Sequence, residues 1–381
     1  MVHSTVEGRR AEKGAMGMGP RGPVRFLVGL AGLAVCGCSE SGGSRPDGGV
    51  TGGSNGTVCL VSDTAGLDDD GFNHSALLGL EQVEESGWNT FAVESRTADD
   101  YAPNVQSFLG GKCDLIVAVG FDLQAATVAA AQANPLQRFL ILDTSLGDAL
   151  SKQAQRVWAQ SYDTCRAAFL AGYVAAATSR TKVLATFGGQ QIPPVTDFMT
   201  GFVAGAHYYA GQSDGGAVVV LGWDPVADAG TFAEGGFVDP VEGRTLADGF
   251  LAQGADVLFP VAGATGFGAG DAIVVSGRSS YLVGVDTDWS VAAPQYKDFV
   301  LTSVVKRLDR SVVSVVGQLG AGSFGGDHFS TLQADGGEVD IAPFQLSVVS
   351  SKTREDVQSL RAVILGGGLT SDLEGCPSGP R

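Results

Sequence analysis

Histidine is scarce in this 381-residue chain, and His3, His74, His207 and His328 are all there is. None of them has metal-ligand spacing, and no Cys-x-x-Cys pair is present, so the patterns of zinc and thioredoxin-type sites are missing. There is no Gly-x-Ser-x-Gly elbow and no phosphate-cradling Gly-x-x-x-x-Gly-Lys loop, so the chain does not hydrolyse ATP itself. Asp68-Asp69-Asp70 lacks the alternating spacing and trailing Glu of a calcium loop. Gly263-Ala264-Thr265-Gly266-Phe267-Gly268 is only loosely like a dinucleotide loop. Basic residues are few: 24 Lys and Arg stand against 41 Asp and Glu, a net charge of -17. That excludes nucleic acid and anionic membrane surfaces as natural partners. The 56 glycines follow no fixed period, which excludes a fibrous repeat.

What is present begins with an export pattern. Arg21 and Arg25 precede the apolar run Phe26–Val35, too short to span a bilayer as a mature helix but suited to a signal peptide. The run ends in Val35-Cys36-Gly37-Cys38, which resembles a bacterial lipobox with Cys38 as the acylated residue. Residues 1–37 are therefore expected to be a lipoprotein signal peptide, and 38–57, rich in Gly and Ser, a flexible tether reaching about 25 Å. The expected location is the cell envelope, with the chain lipid-anchored to a bacterial membrane on its periplasmic or surface side. Cys59, Cys113, Cys165 and Cys376 remain, enough for two disulfides in an oxidising compartment. Cys59 and Cys113 open two strands that should be neighbours, so they are expected to pair.

From Val58 onward, short apolar runs alternate with longer amphipathic ones. Val58–Asp63, Asn89–Glu94, Cys113–Gly120, Arg138–Asp143 and Val157–Gln160 read as strands, with helices between them. A second series contains strands at Lys182–Phe187, Ala217–Leu221, Val257–Val261, Tyr281–Val285 and Val300–Val304, the last leading into a helix from Lys306 to Leu319. This is too many strands for one sheet of ordinary size, so two doubly wound parallel-sheet lobes joined by a hinge are expected. The first lobe should hold 58–162 plus 290–322, and the second 163–289 plus 323–370. Ligands of such α/β sheets bind beyond the carboxyl ends of the strands, which two facing lobes would gather around one cleft. Asp63, Asp143 and Asp286 all fall at strand ends.

Five ordered motifs then carry a family resemblance. Val61-Ser62-Asp63 with Asp68-Asp69-Asp70-Gly71-Phe72-Asn73 is the first, and Gly188-Gly189-Gln190-Gln191-Ile192-Pro193-Pro194 through Phe202 the second. Gly254-Ala255-Asp256-Val257 through Gly266, Val283-Gly284-Val285-Asp286 through Asp288, and Leu301-Thr302-Ser303 through Arg307 are the others. Together they resemble the basic membrane protein family of lipoproteins, which includes purine nucleoside receptors. The resemblance implies a type I periplasmic binding protein fold, no catalytic activity and no cofactor or metal. It implies a purine nucleoside of inosine, guanosine or adenosine type as ligand, and a separate ABC permease with its ATPase as partner. It implies that Phe72, with Asn73 beside it, and Phe237 stack on the base, that Asp143 bonds the base edge, and that Gly263, Asp286 and Lys306 meet the ribose. Asp63, at the end of the first strand, joins the candidate ligand-binding set. Gly71 and Gly236 stand where the family favours Ser, and Ala227–Glu234 reads as an insertion before Phe237. A receptor of the same fold for a sugar or signalling molecule, or a non-transport surface lipoprotein, remain the alternatives.

Overall fold

The computed structural model describes residues 55–146, 156–212, 216–277, 279–319 and 324–380. Cys38, the signal segment and nearly all of the tether lie outside them.

Five strands open the described chain: β1 Thr57–Val61, β2 Asn89–Val93, β3 Leu115–Val119, β4 Arg138–Leu142 and β5 Val157–Tyr162. The helices α1 Phe72–Glu85, α2 Tyr101–Ser107 and α3 Gln124–Ala133 connect the first four. After α4 Thr164–Thr178 come β6 Val183–Gly188, α5 Pro193–Ala210, β7 Val219–Leu221 and the two-residue hairpin strands β8 Trp223–Asp224 and β9 Ala229–Gly230. The chain continues through α6 Pro240–Ala252, β10 Val257–Val261, α7 Gly263–Ser276, β11 Tyr281–Asp286, α8 Trp289–Ala292 and β12 Val300–Lys306. It ends with α9 Leu308–Gln318, β13 Gly326–Ser330, β14 Val339–Ile341 and α10 Ser351–Leu365.

Twelve of these strands form two six-stranded sheets, while β8 and β9 pair only with each other, antiparallel. The first has the order β13-β5-β4-β3-β1-β2 and the second β14-β12-β11-β10-β6-β7. Pairing within these two sheets is parallel, except that β14 runs antiparallel to β12. Each sheet thus repeats the doubly wound order 2-1-3-4-5 with one strand added at the edge. Strands such as Leu-Ile-Val-Ala-Val of β3 are buried along their whole length, as parallel strands covered on both faces must be. Two helices of the second lobe touch at backbone distance. A Cβ at Gly201 or Gly205 of α5 would stand 2.0 and 1.9 Å from the carbonyl oxygens of Cys165 and Phe169 in α4.

The chain passes between the lobes three times: after β5, after β12, and between β13 and β14. The expected partition of the return segment needs correction. β12 lies inside 290–322 but pairs with β11 in the second sheet. The link between those strands carries only a four-residue helix and a short turn, so the chain simply steps to the next position in the same sheet. Of the 290–322 segment, α9 belongs to the first lobe, where it packs on α1 so tightly that a Cβ at Gly79 would lie 2.7 Å from the Asp309 carbonyl oxygen. β13 lies inside 323–370, yet it pairs with β5 in the first sheet. Lys306 closes a strand rather than opening a helix, because β12 runs on past Val304.

Two disulfides are present among the described residues. Cys59 of β1 is joined to Cys113, just before β3, and Cys165 of α4 to Cys376 in the C-terminal tail.

Candidate ligand-binding site

The carboxyl ends of both sheets meet at a cavity between the lobes. Asp63, Phe72, Asn73, Asp143, Phe237, Gly263, Asp286 and Lys306 all line it. The space between these residues, open mouth included, is about 580 Å³.

On the first lobe, β1 ends at Val61 and the chain turns through Asp63 toward α1. The Oδ1 of Asp63 accepts hydrogen bonds from the Ala65 amide at 2.9 Å and the Asn73 Nδ2 at 2.7 Å. Burial nevertheless pushes the Asp63 carboxyl up to about 7. Asp69 caps α1 by accepting from the backbone N–H groups of Gly71, Asn73 and His74 at 2.9–3.0 Å. Burial raises its carboxyl as well. Asn73 is fully buried between these two carboxylates. Its amide also bonds Asp69 at 3.3 Å, and its Oδ1 accepts from the Asp63 N–H at 3.3 Å. Asn73 is therefore a strut that orients Asp63 and Asp69. Phe72, the first residue of α1, sets its ring near Gly120, where a Cβ would come within 3.4 Å of it.

Phe237 faces the cavity from the second lobe. It seats its ring on Gly189, where a Cβ would lie 2.4 Å from the ring, and its Cβ near Gly263. Gly263 opens α7 with a φ of +52°, a conformation that favours glycine.

The most charged part of the cavity is a carboxylate–ammonium–carboxylate group. Asp143 follows β4 and Asp286 ends β11, equivalent positions in the two sheets, and both have φ of 64°. Between them, Lys306 at the end of β12 places its Nζ 2.6 Å from Asp143 Oδ2 and 3.8 Å from Asp286 Oδ1. The Lys306 side chain is 3% exposed, so this charge is held inside the protein by its two partners. Its ammonium also lies 5.5 Å from the Phe72 ring centre and 4.6 Å from that of Phe198. Asp286 Oδ1 is buried and has no hydrogen-bond partner. Burial holds the Asp286 carboxyl up at about 6, opposed by Lys306 and reinforced by Asp143 and Asp69.

Sequence reasoning missed Phe121, Asp122, Ile192, Pro194, Val195 and Phe198, which also line the cavity, as do Ala65, Asp69, Gly120 and Val261. Asp122 and Gln190 approach across the cleft, with Gln190 Nε2 3.4 Å from Asp122 Oδ2. Among the described residues, no group of three or more His, Cys, Asp or Glu is arranged to hold a metal ion. No described helix is long and apolar enough to cross a membrane.

Comparison with known proteins agrees with this architecture. The family described as ABC transporter substrate-binding protein PnrA-like matches residues 57–365. The chain is 29% identical over 362 residues to the ABC transporter nucleoside-binding protein BmpA of Lactococcus lactis subsp. cremoris, covering 90% of this chain and 96% of that protein. It is 28% identical over 291 residues to basic membrane protein D of Borreliella burgdorferi, covering 76% of each. A solved structure of an ABC transporter solute-binding protein from Aeropyrum pernix K1 superposes with a TM-score of 0.69 at 22% identity, covering 82% of this chain and 91% of that one. That likeness shows the type I periplasmic binding protein fold. With the match spanning both sheets and every element that lines the cavity, this chain belongs to the PnrA-like family of ABC transporter substrate-binding proteins.

Proposed function

We propose that the chain captures a purine nucleoside in the interlobe cavity and delivers it to an ABC permease. The observation that carries this reading is the buried Oδ1 of Asp286, which accepts no hydrogen bond and has only the Lys306 charge 3.8 Å away, in a cavity that has an aromatic ring from each lobe. A buried acceptor without a donor is costly, and a ribose hydroxyl would satisfy it. Phe72 and Phe237 offer two π faces to a flat base. Asp143 stands on Lys306 beside Asp286, so in this reading it serves the ribose end, and the base edge passes to Asp63 and Asp122. The relative from Lactococcus is named as nucleoside-binding, which favours the same ligand class.

The mechanism is closure on the ligand. Among the described residues, direct polar contacts across the cleft include Lys306 to Asp143, Gln190 to Asp122, and the Thr287 hydroxyl to the Asp70 carbonyl at 3.4 Å. A molecule that touches both lobes supplies the contacts that shift the pair toward the closed form. Mass spectrometry of the small molecule released from denatured, freshly purified protein tests the reading. A purine nucleoside supports it, and a sugar or another solute at stoichiometric amounts overturns it.

A further inference from the structure

The C-terminal tail lies beyond the segment that the family matches, which ends at residue 365. It is nevertheless fixed at several points. Leu373 and Pro377 are buried, Cys376 is bonded to Cys165, and the Arg166 guanidinium donates to the Pro377 carbonyl at 2.8 Å. Arg166 also pairs with Asp163 at 2.9 Å, where the chain first leaves the first lobe, and the Asp163 N–H donates to the Ser330 carbonyl at 2.8 Å. The tail is thus tied to the hinge.

Its end forms part of a second chamber of about 370 Å³, mouth included. Pro377 and Gly379 line this chamber together with Thr144 and Ser161 from the first lobe and Thr164 and Asp197 from the second. Phe121, Asp143 and Pro194 line both this chamber and the ligand cavity, so the two adjoin at these residues.

We propose that the C-terminal tail is a strap, pinned by Cys165–Cys376, that closes a second mouth of the ligand cavity at Asp143. The proposal rests on the reading of that cavity as the ligand site. With the strap in place, the path from solvent to the buried Asp143–Lys306 pair on this side is narrowed, and the low dielectric around that pair strengthens the charge contacts that hold the lobes together. A ligand then leaves only when the lobes part. A disulfide closing 211 residues of chain keeps the strap from fraying as free termini do.

The decisive variant is a chain ending at Cys376, which keeps the disulfide and removes the roof residues. Hydrogen exchange without ligand reads the chamber directly at the amides of Asp143 and Thr144, both bonded to the Gln160 carbonyl. Exchange there should rise about tenfold or more, while that of β3 stays unchanged. Guanosine, displaced in a stopped-flow experiment, should leave the shortened chain about tenfold faster than the full one. A Cys165→Ala/Cys376→Ala protein should show the same two changes, together with a lower melting temperature. Unchanged exchange in the shortened chain overturns the strap. Raised exchange with unchanged guanosine release overturns its role at the ligand's exit. If guanosine and other nucleosides fail to bind the full chain, the ligand reading falls, and the exchange arm still decides whether the tail closes the chamber.

Discussion

Replacing Lys306 by Met removes one ammonium and leaves two buried carboxylates facing each other across the gap. Coulomb's law at an effective dielectric of about 20 gives roughly 4 kcal/mol for unit charges 3.8 Å apart, the Lys306–Asp286 separation. Breaking a buried pair by deleting one partner ordinarily costs about 3–5 kcal/mol. Protonation offers an escape, and pH should therefore set the loss. With Lys306 present, the Asp286 carboxyl is held at about 6, above its ordinary 3.8. The folded state thus binds that proton more tightly than the unfolded chain does. The associated stability is complete below pH 3.8 and fades as pH rises through 6. Without Lys306 the folded value climbs further and the fading extends past neutrality. Urea unfolding followed by near-ultraviolet circular dichroism should show Lys306→Met destabilised by about 3 kcal/mol at pH 8 and by at least about 2 kcal/mol less at pH 5. An equal loss at both pH values, or a larger one at pH 5, refutes the coupling.

Asp286→Ala should weaken a nucleoside about ten- to a hundredfold, since a charge-assisted hydrogen bond contributes roughly 1.5–3 kcal/mol, and hardly change affinity for a free base, as calorimetry with guanosine and guanine would show. Phe72→Ala and Phe237→Ala should weaken base and nucleoside alike, because stacking is lost in both. Nucleoside hydroxyls that donate to Asp286 favour its ionised form, so affinity should rise about tenfold between pH 5 and 7.5 with a midpoint near 6, and Asp286→Ala should flatten that limb of the titration. Fatty-acid labelling of cells should acylate the wild-type chain and miss Cys38→Ser; equal labelling of both would move the anchor away from Cys38.

The elements that follow simple periodicity were legible. Val257–Val261 is an apolar run closed off by polar and small residues, and it is strand β10 residue for residue. Phe72 opens α1 where the amphipathic pattern starts, and Cys59 and Cys113 meet because β1 and β3 are neighbours in the sheet. Tertiary packing hid other parts. α7 carries Gly263, Gly266, Gly268 and Gly270, a composition that intrinsic propensity disfavours in a helix. Close neighbours require two of them: a Cβ at Gly268 would stand 2.1 Å from the Pro240 carbonyl oxygen of α6, and one at Gly270 would stand 2.6 Å from the Tyr296 ring. β13, Gly-Asp-His-Phe-Ser, has no buried residue and no apolar alternation to announce a strand. In the site, the strand-end carboxylates and the aromatic residues stood out by position and by resemblance. Phe198 and Asp122 did not: Phe198 is buried within α5 and reads as a core residue, and Asp122 sits in the short turn between β3 and α3. The buried setting of Lys306 was hidden because its partner Asp143 lies 163 residues away in the opposite lobe.

Calorimetric titration of the purified, ligand-free chain with guanosine, inosine and adenosine, run beside ribose and the free bases, tests the central claim most directly. The account predicts micromolar or tighter binding of at least one purine nucleoside, with its base weaker and ribose weaker still. Binding of ribose or another sugar with no response to any nucleoside would contradict it.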